Sequence, residues 1–255
     1  MSTEPAEAPA VSRPAPTAAR VLAQGLYETR NVLRNGEQLL VSLILPLLVL
    51  IGVHRLELIA GQSVPSIDVI TPGVLALAVM ATGFTGQGIA TGFERQYGVL
   101  AYLSTTPLGP VGLILGKAVA VLAVILVQVV VLGSAGLALG WSPDLTGLLW
   151  LGLGIVIGAA AFTGLGLLIA GTVRAEATLA LTNVAWVLMG AAGGAVFPLG
   201  HDGAAAALLL IPSASLGEAL RSASIEGELA VLPLLILAGW AIFAVLAARR
   251  WFQWR

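Results

Sequence analysis

The 255-residue chain has no cysteine, two histidines and one lysine, Lys117, against eleven arginines. Without thiols it holds no disulfide scaffold, iron–sulfur site or thiolate-bound metal. Charge is scarce: 10% of residues are Asp, Glu, Lys or Arg, where a soluble domain carries about 25%. With 58% hydrophobic residues, the apolar surface is too large for water to accept, so the solvent of this chain is a bilayer and a cytosolic enzyme is excluded. A formal charge of −1 excludes a broadly basic nucleic-acid binder. Catalytic constellations are missing as well. His54 and His201 lack neighbouring ligands at metal spacing, no serine occupies a Gly-x-Ser-x-Gly turn, and no paired carboxylates face one another in the apolar segments. Gly112 and Gly116-Lys117-Ala118 imitate a nucleotide loop, but three residues separate the glycines and Ala118 stands where Ser or Thr is needed.

What the chain does contain is long apolar runs. Residues 1–19, with four prolines and no apolar stretch, read as a disordered cytosolic tail. Residues 20–37 have helical periodicity: Leu22, Leu26 and Leu33 share one face, opposite Arg20, Gln24, Tyr27, Asn31 and Arg34. This is the pattern of a helix lying on a membrane surface, or of an amphipathic helix packed on a partner protein. Residues 38–255 then supply six stretches to cross a hydrocarbon core, which takes about 20 helical residues: 38–53, 67–92, 111–139, 145–173, 177–199 and 229–248. The segment Ala204–Ile211 is apolar but too short to span, and reads as a re-entrant dip into the outer leaflet before the last span. The expected fold is an all-α integral membrane protein with both termini cytoplasmic. In that topology ten of the twelve Lys and Arg lie inside, leaving only Arg55 and Arg221 outside. The arginine bias and the wealth of Ala, Gly, Leu and Val fit a GC-rich bacterial genome, and hence a bacterial plasma membrane.

The expected spans carry no acidic residue at mid-depth, which disfavours a proton- or sodium-driven carrier. Their polar inventory is neutral: Thr82, Thr85, Gln87, Gln128, Ser134, Thr163, Thr182 and Asn183. Beside Phe84, Trp186 and Met189 these groups suit either a pathway for a greasy solute or ordinary interhelical hydrogen bonding. Glycines at four-residue spacing, Gly112–Gly116, Gly154–Gly158 and Gly190–Gly194, read as close-packing positions between helices.

Between the second and third spans, residues 93–110 make a short polar loop. Glu94 and Arg95 mark emergence into water, Gly98 permits a bend, Val99–Leu103 forms a helical turn or two, and Thr106-Pro107 ends it. This stretch, with Glu94-Arg95-Gln96, Gly98-Val99-Leu100-Ala101 and Thr106-Pro107, resembles the first cytoplasmic loop of the ABC type-2 permeases. The daunorubicin-resistance type looks closest, and the amphipathic helix ending in Arg34-Asn35-Gly36-Glu37 and the later Phe197-Pro198 and Ile211-Pro212 extend the likeness. The resemblance implies a permease subunit without catalytic, cofactor or metal residues of its own. ATP and magnesium would be held by a separate ABC ATPase, present in two copies, and a second permease, identical or related, would complete the assembly among membrane lipids. It further implies coupling to the ATPase through Arg30, Arg34, Glu94, Arg95, Gly98, Val99, Leu100, Leu103 and Pro107. By the same analogy, Thr82, Phe84, Thr85, Gln87, Asn183, Trp186 and Met189 would line the route of an exported drug or lipid-like solute. A secondary transporter working alone and a membrane assembly factor are the rival readings.

Overall fold

The computed structural model describes residues 15–60, 66–191, 193–198 and 207–251, and among these every regular element is helical. Helix α1, Thr17–Arg34, ends at Asn35, whose extended backbone turns the chain into α2. Helix α2 is one continuous run of Gly36–Leu39, Leu40–Ile44 and Leu45–Ala60. Helix α3 spans Ile67–Gln96, and the short α4 Val99–Ser104 follows it. Helix α5 covers Gly109–Ala138, α6 Leu148–Thr172 and α7 Ala175–Ala191. Helix α8, Pro212–Arg221, runs into a wider turn at Ser222–Glu226, and α9 covers Val231–Trp251. Most of the expected tail 1–19, residues 204–206 of the expected dip, and His201 lie outside the described residues.

Among the described residues, four stretches are long and apolar enough to cross a membrane: Ile67–Gln96, Val111–Ala138, Leu145–Thr172 and Val231–Ala248. The apolar parts of α2 and α7, Ser42–Leu56 and Ala175–Ala191, are shorter. The expected fifth span, 177–199, therefore stops early. Its apolar character continues, but Gly193-Gly194 leaves the helix, and Gly194 takes a φ of +73° that side chains resist.

Helix α3 is the axis of the bundle. Residues 70–88 are buried without interruption, because α5, α6, α7 and α8 all pack around it. Glycines set how closely they approach. A Cβ at Gly166 of α6 would lie 2.5 Å from the Phe84 carbonyl oxygen, and one at Gly190 of α7 would lie 2.8 Å from Leu77 Cδ1. Gly154 and Gly158 likewise admit Leu220 and Leu216 of α8. The expected packing role holds for Gly116, Gly154, Gly158 and Gly190, whereas Gly112 faces only Leu108 of its own segment and Gly194 lies outside the helix. Ser134, by contrast, faces outward from α5 and is no part of the interior.

The far end, opposite α4, contains what hydropathy hides. Residues 213–221 alternate Ser, Glu and Arg with apolar residues and read from sequence as an outer loop, yet they form the buried helix α8 between α3, α6 and α9. Arg221, expected on the outer surface, is only 5% exposed. Its guanidinium donates to the carbonyls of Gly194 and Ala195, each at 3.0 Å, and pairs with Glu218 at 3.3 Å. Ser213 donates to the Gly193 carbonyl at 2.8 Å. The non-helical backbone after α7 thus finds its hydrogen bonds inside the protein, the condition on which irregular backbone survives away from water.

Candidate coupling site

The loop end is built around a helix too short to stand alone. Gly98, at φ +75°, reverses the chain after α3 and starts α4. Leu100 is fully buried beneath α4, while Tyr97 and Tyr102 are 74% and 72% exposed. Three successive hydroxyls close the other side: Ser104, Thr105 and Thr106 donate to the carbonyls of Ala101, Tyr102 and Leu103 at 2.7, 2.8 and 2.6 Å. The backbone N–H groups of Thr105 and Thr106 also reach the Tyr102 and Leu103 carbonyls, each at 3.1 Å, so hydroxyl and amide together close the end of this short element. The expected turn at Val99–Leu103 and its termination at Thr106-Pro107 are both present.

Three consecutive residues anchor this knob to three other helices. Glu94 pairs with Lys117 Nζ of α5 at 2.7 Å. Arg95 donates to the carbonyl of Val173, at the end of α6. Gln96 Nε2 donates to Glu176 Oε1 in the first turn of α7 at 2.9 Å. Phe93 and Tyr97 stack across one turn, with ring centroids 6.1 Å apart. The exposed surface of α4 is therefore mechanically continuous with α3, α5, α6 and α7.

Lys117 carries a second connection that the sequence reading missed. It is 2% exposed and also pairs with Glu28 of α1 at 3.3 Å, while Gln24 donates to the other oxygen of Glu28 at 2.8 Å. Burial is the main influence on the Glu28 carboxyl and lifts its pKa above the ordinary glutamate value. The Lys117 ammonium and Gln24 oppose that rise, and the Glu94 carboxylate adds to it. Around this triad α1 packs tightly on α5: a Cβ at Gly25 would lie 2.6 Å from Val119 Cγ1, and one at Gly116 would lie 2.7 Å from Gln24 Cγ. The amphipathic helix thus docks its Gly25, Glu28 and Val32 side on its own chain, leaving Leu22, Leu26 and Tyr27 outward. The signal in the sequence was compositional: one lysine, where every other cation is arginine.

Of the other expected coupling residues, Arg30, Arg34, Val99 and Pro107 are exposed and Leu103 is half-buried. The residues expected along a solute route separate into two groups. Thr82, Phe84, Thr85, Gln87 and Trp186 are buried in the bundle. Thr82 donates to Gln128 at 3.0 Å, Phe84 meets Phe162 edge to face, Thr85 reaches the Thr182 carbonyl, and the Trp186 indole donates to the Leu77 carbonyl at 3.3 Å. Asn183 and Met189 are half-buried.

A search of curated proteins returns no match. The family model described as "ABC-2 family transporter protein" matches residues 13–250, a stretch that takes in α1, the anchored loop and all the apolar helices. An all-helical bundle of membrane-length apolar segments, with a rigid polar corner after α3, is thereby placed: the chain belongs to the ABC-2 transporter family and is a multi-pass membrane transport protein.

Proposed function

We propose that the chain is the permease subunit of an ATP-driven exporter and that it moves a hydrophobic or amphipathic, drug- or lipid-like solute outward. In this reading the loop end faces the cytosol, α2 and α7 complete a set of six spans, and the stretch from 193 to α8 dips back into the outer leaflet. Two copies of a separate ATPase and a second permease subunit complete the machine. The observation that carries the proposal is the anchoring of Glu94, Arg95 and Gln96 to three different helices. A push on Tyr97, Val99 and Tyr102 is delivered to α5, α6 and α7 together, which is what a transmission element requires. Thr82, Phe84, Thr85 and Gln87 are enclosed by neighbouring helices, so a solute that meets them does so only once α3 parts from α6 and α7. Asn183 and Met189 remain reachable from the side of α7.

The test is reconstitution in lipid vesicles with and without a candidate ABC ATPase from the same genome. Solute-stimulated ATP hydrolysis and nucleotide-dependent export are expected. Export by the chain alone down an ion gradient would establish a secondary carrier instead, and stable assembly without either activity would establish an assembly factor.

A further inference from the structure

Two helices widen by one residue where they face each other. In α2 the Leu45 N–H bonds the Leu40 carbonyl, and in α3 the Gln87 N–H bonds the Thr82 carbonyl. Both bonds span five residues where an α-helix uses four. Such π turns are wider and uncommon, and they concentrate where a helix must do more than support a fold. The turns Leu40–Ile44 and Ala81–Gly86 lie against each other. Gly83 and Gly86 bring no side chain to stiffen the second, and a Cβ at Gly86 would meet Gln38 Nε2 at 2.6 Å.

One buried side chain of α5 joins the pair. Gln128 Nε2 donates to the Ser42 carbonyl in the α2 turn at 2.7 Å, and Gln128 Oε1 accepts from the Thr82 hydroxyl in the α3 turn at 3.0 Å. Lys117 precedes Gln128 by eleven residues, about three turns, so both project from one face of α5 roughly 16 Å apart. Both do the same thing: Lys117 joins α1 to α3 through Glu28 and Glu94, and Gln128 joins α2 to α3. Helix α5 passes both crossings without a break of its own.

We infer that the paired π turns are a hinge. There the loop-end segments of α2 and α3, with α1 and α4 attached, change direction relative to the far halves of the same helices. Gln128 is the positioning residue that fixes its resting angle. A π turn suits this because its surplus residue can shift along the helix, exchanging five-residue for four-residue partners while the backbone stays bonded. What drives the swing rests on the exporter reading; the hinge itself does not.

The test needs neither ATP nor a partner. The full chain, naturally free of cysteine, is labelled with spin probes at Asn31→Cys and Arg55→Cys, which straddle the α2 turn, and placed in phospholipid nanodiscs. Gln128→Leu removes both bonds. The 31–55 distance distribution should broaden, and amide exchange in residues 40–45 and 81–87 should quicken about tenfold, with α9 unchanged. If Gln128→Leu does not insert, Gln128→Asn, one methylene too short to reach both turns, is held to the same outcome. An unchanged distribution with unchanged exchange overturns the hinge. So does a rise in exchange shared equally by α9, which would make Gln128 an ordinary packing residue.

Discussion

Lys117 offers the most direct test of how the loop end is held. Replacing it by Met keeps the volume and removes the charge, leaving Glu28 and Glu94 facing each other without a cation. Stranding one partner of a buried ion pair costs about 3–5 kcal/mol. Two escapes reduce the figure here: Glu94 is 27% exposed and can be hydrated, and Glu28, already lifted by burial, can take up a proton. A cost of about 2 kcal/mol at neutral pH follows, or about thirtyfold in the opening equilibrium. The element that opens is α1, which carries three arginines that trypsin can cut, Arg20, Arg30 and Arg34, so limited proteolysis in nanodiscs reads the effect directly. The pH dependence has a definite sign. A carboxyl whose folded pKa is raised favours the folded state at low pH, and that contribution fades as pH rises through the raised value. The Met variant loses the cation that restrained Glu28, so its deficit should shrink on acidification below neutrality. Adding Glu28→Gln to Lys117→Met should recover part of the lost protection at pH 7.5. Native protease resistance of Lys117→Met throughout pH 5–8 would show that the triad holds nothing.

At the far end, Arg221→Met should lower the thermal midpoint sharply, since two hydrogen bonds from a charged donor, at about 1.5–3 kcal/mol each, vanish from the carbonyls of Gly194 and Ala195; Arg221→Lys, with no fork, should recover only part. At the loop end, Tyr97→Asp with Tyr102→Asp should abolish capture of the ATPase while changing stability by no more than about 1.5 kcal/mol, the worth of the lost Phe93 stack. Leu100→Asp instead should unfold the corner, read as loss of monodisperse protein, because it buries a charge. The exposed Asp144 carboxyl, held below its ordinary pKa by the Thr146 hydroxyl and then by its backbone N–H, should titrate below the usual aspartate range in side-chain NMR; whatever stability it adds is present above that range and lost as pH falls through its lowered value.

The sequence shows the long helices well because lipid and interior both demand apolar residues over a fixed length. The expected 111–139 and 67–92 lie within two to four residues of Gly109–Ala138 and Ile67–Gln96. It fails where polar residues are satisfied by distant backbone. Ser213 and Arg221 look like a loop until Gly193, Gly194 and Ala195 are seen as their acceptors, and Glu218 until it is seen beside Arg221. Nothing in a linear reading pairs Gln128 with Ser42, 86 residues away. The coupling corner was legible in outline because turn chemistry is local: Gly98, Thr106 and Pro107 each act within their own neighbourhood. Its inner side was not, because Leu100 and Val99 are equally apolar and only the fold decides that Leu100 turns in and Val99 out.

The anchors of Glu94, Arg95 and Gln96 also fix an order of construction. Each partner lies downstream in the chain, Lys117 by 23 residues, Val173 by 78 and Glu176 by 80. When the corner has just been synthesised, none of its three tethers yet exists. The corner matures only after more than two-thirds of the polypeptide has been made, so a half-built chain carries it in an unbraced form.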